Sequence, residues 1–291
     1  MNAGRKAMRV SYYPEVDLRT SVRPVATLGN FDGVHLGHQR ALAILRERSR
    51  ALEASAVAVT FEPHPVSVLR PERAPKRILT PKLKVELLGA SSIDHLVIIH
   101  FTREFSQISA EEFVKEVLVG KLRVAELVLG ADFRFGHGRE GDVEFLRRAG
   151  ERDDFLVHQV EGFEHRGEVV SSSRIRRTLE EGAVDEAAEM LGRPYFFDST
   201  VVHGDGRGRQ MGFPTANLKV EGDVLVGDGV YATEATLSGQ SVPGMSHVGR
   251  RPTFGLEERM VETHLFDFDR DLYDAPLRLH FHRRIRGTVK F

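Results

Sequence analysis

Through its first half the chain alternates short apolar runs with longer stretches whose apolar positions recur at helical spacing. Residues 25–29, 56–61, 95–100, 126–130 and 155–160 are rich in Val, Ile and Leu, several of them without a polar break, as expected of strands covered on both faces. Residues 36–52, 81–88, 110–122 and 143–149 between them read as helices. Their starts carry caps: Thr80 precedes Pro81, Ser109 and Glu112 have capping-box spacing, and Asp142 precedes the fourth helix, which Gly150 ends. This alternation predicts an α/β domain, Rossmann-like, with a parallel sheet and crossover helices.

Two short helical stretches follow, 173–181 and 184–191, broken by Gly182 and stopped by Gly192-Arg193-Pro194. Beyond them the helical period is lost. Residues 195–202, 230–237, 260–268 and 277–282 are strand-like, with Gly, Asp and Pro between, and Ser238-Gly239 reads as a hairpin turn. This half predicts an antiparallel β-barrel. The expected domains are residues 1–186 and 187–291, a division in keeping with a chain long for one core.

Composition works mainly by exclusion. The formal net charge of -1 gives no electrostatic reason to expect nucleic acid or an anionic membrane as partner. Cysteine is absent, which removes disulfides, thiol catalysis and thiolate metal sites. No apolar run is long enough for a membrane span and no secretory h-region follows the N-terminal charges, so the expected location is cytoplasmic. Small molecules are the expected partners, and homo-oligomerisation is left open.

The densest chemistry follows the first predicted strand, in Thr27-Leu28-Gly29-Asn30-Phe31-Asp32-Gly33-Val34-His35-Leu36-Gly37-His38. Ligands bind at the carboxyl ends of parallel strands, and helix N-termini offer free N–H groups and positive partial charge to phosphate. Gly29, Gly33 and Gly37 allow a tight turn and close approach, and His35 and His38 can donate to phosphoryl oxygens. A zinc site on the two histidines is an alternative that lacks a third ligand nearby, and a helix start with no role is another. Ser171-Ser172-Ser173-Arg174-Ile175-Arg176 opens a second helix whose hydroxyls and N–H groups can grip a triphosphate, with Arg176 facing the leaving pyrophosphate; on its own such a string is equally a helix cap.

In the second half, Gly204 to Arg209 form a Gly-rich basic loop that could cover phosphates or be a plain hairpin connection. Thr215 and Asn217 alternate, so on an extended segment both oxygens point one way and suit magnesium held with nucleotide phosphates. Glu262, on a predicted strand, is a candidate general base for a hydroxyl nucleophile, or else an exposed-face carboxylate.

His35-Leu36-Gly37-His38 behind a Gly-rich turn resembles the nucleotidylyltransferase signature. Together with Thr60-Phe61-Glu62-Pro63-His64-Pro65, Gly130-Ala131-Asp132-Phe133-Arg134-Phe135-Gly136 and Ser171 to Arg176, it resembles the FAD synthetase half of prokaryotic bifunctional riboflavin kinase/FAD synthetases. The strings Gly212-Phe213-Pro214-Thr215-Ala216-Asn217, Gly229-Val230-Tyr231 and Gly249-Arg250-Arg251-Pro252-Thr253-Phe254 resemble the riboflavin kinase half. The resemblance implies phosphorylation of riboflavin to FMN and adenylylation of FMN to FAD, with ATP and Mg2+ in both steps. It implies that Gly29, Asn30, Phe31, His35, His38, Ser172 and Arg176 serve ATP, and that Asp132 and Phe135 line the flavin pocket. In the barrel it implies that Thr215 and Asn217 hold magnesium-ATP, that Glu262 deprotonates the ribityl hydroxyl, and that Gly204, Arg209 and Tyr231 contact substrates. The chain departs from the family pattern at His247, Asp274 and Thr288, and stops at Phe291 where a further C-terminal helix is implied. Competing expectations are an FAD synthetase with an impaired kinase half and a non-catalytic flavin- or nucleotide-binding regulator.

Overall fold

The computed structural model describes residues 7–16, 18, 22–203, 214–253 and 256–287, with the side chains of 250–258 excepted. The chain divides into two compact units: Met1–Pro75 with Pro81–Val169, and Lys76–Thr80 with Val170–Phe291.

The first unit is built on strands β1 (Arg9–Tyr13), β2 (Val25–Leu28), β3 (Ala56–Glu62), β4 (His95–His100), β5 (Glu126–Gly130) and β6 (Leu156–Val160). They form one parallel sheet in the order β1-β4-β3-β2-β5-β6. The five expected strands are present within a residue or so of their expected limits. The sixth, β1, is an edge strand, exposed at alternate and terminal positions, so it carries no apolar run to betray it. Crossovers are α1 (Leu36–Ala51), α2 (Pro65–Leu69), α3 (Pro81–Ala90), α4 (Ala110–Glu112) and α5 (Val143–Asp153). Beyond its capping box on Ser109 and Glu112, α4 widens into a π-helical run, Phe113–Leu122. Asp142 caps α5 by accepting from the Phe145 N–H, but the helix runs past Gly150, whose missing Cβ admits the Phe155 carbonyl. One face of the sheet packs Ala26, Val57, Val59, Val97, Ile99, Leu127 and Leu129 against Phe113, Val117, Leu118 and Leu146. A short antiparallel pair, β7 (Glu164–His165) and β8 (Glu168–Val169), closes the unit.

In the second unit α6 (Ser172–Glu180) and α7 (Val184–Leu191) precede β9 (Tyr195–Val202), β10 (Ala216–Val220), β11 (Gly229–Leu237), β12 (Gln240–Thr253), β13 (Leu256–Leu265) and β14 (Pro276–Arg286). These strands close into an antiparallel barrel in the order β10-β13-β12-β11-β14-β9. Alternation sends Tyr195, Phe197, Val201, Leu218, Tyr231, Val261, Leu279 and Phe281 inward. The two-residue hairpin turn at Ser238-Gly239 joins β11 to β12, both residues with positive φ (47° and 83°). No strand was expected over β12, because Pro243, Gly244 and Gly249 interrupt it; Gly244 is needed there, since a Cβ would stand 2.5 Å from the His264 carbonyl oxygen of the neighbouring strand. The helix α7 buries Val184, Ala187, Met190 and Leu191 and packs on β14 and β9. Arg284 of β14 holds the Glu181 carbonyl at 3.0 Å. The segment Lys76–Thr80 belongs to this unit through Arg176 Nε on the Lys76 carbonyl (2.8 Å) and the Arg77 N–H on Asp223 (2.8 Å). Among the described residues no helix is long and apolar enough to cross a membrane.

Candidate functional site

The order of the first sheet fixes where a ligand can enter. From β2 the chain moves outward through β3 and β4, then returns to β5 on the other side of β2. The topological switch point therefore lies between the carboxyl ends of β2 and β5, where open α/β sheets bind ligands. The loop after β2 carries Gly29, Asn30, Phe31 and His35 and leads into His38 in the first turn of α1, and the loop after β5 carries Asp132 and Phe135. The structure brings these two groups to one edge of one sheet.

The first loop is tightly bent. Phe31, Gly33 and Val34 have φ of 50°, 86° and 41°, and such values are unfavourable for a bulky or β-branched residue. Gly29 is small because Phe31 lies across it: a Cβ there would come within 3.3 Å of Phe31 Cζ. The Phe31 ring, expected to serve ATP, is 2% exposed and meets His38 edge-on, so it supports the imidazole. His35 is the N-cap of α1, its Nδ1 accepting from the His38 N–H at 3.4 Å. The two imidazoles stack with centroids 3.7 Å apart. No acidic side chain stands in the first turn of α1, so its positive end is not offset. Burial, reinforced by His35, holds His38 well below the ordinary imidazole range, and it is therefore neutral near pH 7. Its Nδ1 is enclosed and has no hydrogen-bond partner among the described residues. An orphaned ring nitrogen at a helix N-terminus is a place for an incoming polar ligand.

On the β5 side Asp132 is exposed. Phe135, expected to face the flavin, is 6% exposed and packs within Phe113, Phe133 and Phe145. Phe133 stacks on it at 5.8 Å and stays partly exposed. Behind the first loop stands a group that the sequence reading missed. Lys84 of α3 is 9% exposed, and its Nζ lies 3.4 Å from the Asn30 carbonyl oxygen, 3.4 Å from Thr60 Oγ1 and 3.2 Å from Glu62 Oε2. Its signal was a lysine on the core stripe of a helix, four residues before the buried Leu88.

Ser172 and Arg176 fall in α6 of the second unit. Ser171 is the N-cap, accepting from the Arg174 N–H, and Ser172 opens the helix. In the barrel, Asn217 of β10 is the register partner of Glu262 of β13, which in turn faces His247 of β12. Leu218, Val261 and Val248 point inward, so Asn217, Glu262 and His247 form a row across the outer face, and Thr215 immediately precedes β10. Beneath that row Thr233, Ser246 and Thr263 link hydroxyl to hydroxyl at 2.8 and 2.7 Å, all buried. Tyr231, expected at a substrate, is fully enclosed and its hydroxyl donates to the Gly227 carbonyl at 2.7 Å; it is a core residue of the barrel. Gly204, Arg209 and Thr288 lie outside the described residues. Among the described residues no group of three or more His, Asp or Glu is arranged to hold a metal.

Comparison with known proteins agrees with this two-part layout. The FAD synthetase family matches residues 19–174 and the riboflavin kinase family residues 191–291. A bifunctional riboflavin kinase/FMN adenylyltransferase of Pseudomonas fluorescens is 40% identical over 268 residues, 92% of this chain and 86% of its own. One from Escherichia coli K12 is 36% identical over the same shares. A solved structure from Streptococcus pneumoniae, described as a macrolide-efflux protein, superposes with a TM-score of 0.89 at 30% identity, covering 98% of this chain and 93% of its own. With both halves matched in order along nearly the whole sequence, the chain belongs to the bifunctional riboflavin kinase/FMN adenylyltransferase family.

Proposed function

We propose that the chain makes FAD from riboflavin in two ATP-dependent steps: the barrel phosphorylates riboflavin to FMN, and the parallel-sheet site transfers AMP from ATP to FMN. What supports this reading is a helix N-terminus whose His38 Nδ1 has no hydrogen-bond partner among the described residues, together with a barrel face that pairs Asn217 with Glu262. We assign the first step to residues 187–291 and the second to residues 1–186.

In the kinase step the nucleophile is a neutral alcohol. Glu262 takes its proton as the ribityl oxygen attacks the γ-phosphorus and ADP leaves. Thr215 just before β10 and Asn217 within it are uncharged hard oxygen donors, a set that fits magnesium, and they would hold it with the nucleotide. Bound magnesium supplies neutralisation of phosphate charge. In the adenylyl step an FMN phosphate oxygen attacks the α-phosphorus of ATP and pyrophosphate leaves. That nucleophile is already ionised, so His35, His38 and the N-terminus of α1 act by positioning and by donating to phosphoryl oxygens. Gly29 lets the backbone approach the nucleotide, and Asp132 sits on the flavin side. Ser172 and Arg176 are assigned to the ATP phosphates by the family resemblance alone. The same reading gives small-molecule partners and a cytoplasmic location.

The test is to incubate the protein with riboflavin, ATP and magnesium and to separate the flavins by chromatography. FMN followed by FAD is expected. FAD from supplied FMN but none from riboflavin would leave only the adenylyl half, and no product from a folded protein would make it a binding protein.

A further inference from the structure

Resting on that reading, we propose that Lys84 is a positioning residue of the adenylyl site, tying together the two loops that leave β2 and β3. Its ammonium meets three acceptors from two different segments: the Asn30 carbonyl after β2, and Thr60 and Glu62 at the end of β3. Thr60 also donates to the Asn30 carbonyl at 3.3 Å, so the hydroxyl both accepts from Lys84 and gives to the same oxygen. The arrangement is largely buried, with the Lys84 side chain 11% and the Glu62 side chain 25% exposed. A lone ammonium in that place would be costly, and it persists because Glu62 supplies the opposite charge and the other two oxygens complete its hydrogen bonds.

What the clamp holds is the turn that presents His35 and His38. Two of its residues, Phe31 and Val34, keep left-handed backbone angles without being glycine. Such conformations last only where the surroundings over-determine them. At the far end of the turn Gln39 Nε2 donates to the Val34 carbonyl at 2.9 Å. At the near end the corresponding hold on the Asn30 carbonyl comes from Lys84 and Thr60. Glu62 leads directly into Pro63 and into His64, the N-cap of α2, whose Nδ1 accepts from the Val66 N–H at 3.2 Å. A single buried cation thus sets the spacing of the β2 and β3 loops at the sheet edge where the nucleotide and flavin meet.

Misplacing reacting groups by about 1 Å costs on the order of 100-fold in rate, so Lys84→Met should lower kcat for FMN adenylylation roughly 10- to 100-fold, with KM for FMN within about 2-fold of wild type. Riboflavin phosphorylation by the same preparation should run at the wild-type rate, which reports that the chain is folded. Hydrogen exchange should speed up in the amides of residues 29–35 and stay unchanged in the barrel. Thr60→Val removes the shared hydroxyl while keeping the ion pair, and should move both readouts the same way by less. Adenylylation within 2-fold of wild type in Lys84→Met overturns the proposal. So does a parallel loss of both activities, which would make Lys84 a general support of folding. A wild-type protein that makes no FAD defeats the function proposed above, and this inference with it.

Discussion

At the scale of single residues, the two proposed reactions differ in their nucleophile, and that difference should separate by mutation. Glu262→Gln keeps the shape of the β13 row and removes its proton acceptor, which should slow riboflavin phosphorylation by about 10²–10⁴-fold while supplied FMN still becomes FAD. His38→Ala removes a donor at the head of α1, and should cut FMN adenylylation by about 10²–10³-fold while FMN accumulates from riboflavin. Flavin chromatography of both mutants reads this; a folded mutant that loses both activities would refute two independent sites. His38 also links the site to pH. Its native pKa is depressed by burial and by His35, while the unfolded chain takes up its proton near pH 6.5. Between the depressed value and about 6.5 the unfolded state binds more protons, so this group costs stability as pH falls below about 6.5. Urea midpoints at about pH 7.5 and about pH 5.5 should therefore differ less in His38→Gln than in wild type.

At the scale of elements, each half depends on a polar cluster that its strands cannot leave unpaired. In the sheet, Glu126 at the start of β5 is 4% exposed at its side chain and is held by Arg48 of α1 at 2.6 and 2.8 Å and by His158 of β6 at 3.0 Å. The Arg48 hydrogen bond keeps this carboxyl below the usual carboxylate range. The cluster lies at the amino end of β5, away from the switch point, and so reads as a fastener of α1 to the sheet. In the barrel the fastener is the hydroxyl chain of Thr233, Ser246 and Thr263, which joins β11, β12 and β13 under the Asn217–Glu262–His247 row. Ser246→Ala takes out the middle member and leaves its neighbours short of a partner. The expected cost is about 1–3 kcal/mol in chemical denaturation, and an unchanged unfolding curve would show that the chain carries no stability.

At the scale of the whole molecule, compactness and family matches divide the chain at different places. The FAD synthetase match ends at residue 174 and the kinase match begins at 191, on either side of the boundary proposed at 186/187, whereas the second compact unit takes Lys76–Thr80 and then everything from Val170. The difference is α6 and α7. Their apolar faces, with Ile175, Leu179, Met190 and Leu191 fully buried, belong to the packing of the barrel unit. A fragment ending at Val169 keeps all six strands of the parallel sheet and its core, and should unfold cooperatively with little dye binding. A fragment ending at Gly192 carries those faces uncovered and should bind a hydrophobic dye and self-associate on a sizing column. Equal behaviour of the two fragments would contradict the compact boundary.

What the sequence determined alone was local. Five parallel strands, the caps of α4 and α5, the extent of α7, the hairpin at Ser238-Gly239 and the histidine turn all rest on neighbours within a few residues, and these interactions are written directly in the order of side chains. The strings that carry the family resemblance are equally local. Tertiary structure alone decided which side of an element meets what. Phe133 and Phe135 alternate identically on paper, and only the packing of Phe113 and Phe145 settles that Phe135 goes inside. Tyr231 and Glu262 are both polar residues on strands, yet closure of the barrel buries one and sets the other beside Asn217. The strand β12 was hidden because its glycines and proline argue against a strand until a neighbouring backbone needs the space. Lys84 drew no reading from the sequence, and only the packing of α3 sets it over Asn30, Thr60 and Glu62. In each case the deciding contacts come from segments distant in the chain, and a side-chain period of 2 or 3.6 names the two faces of an element without saying which one the rest of the fold will cover.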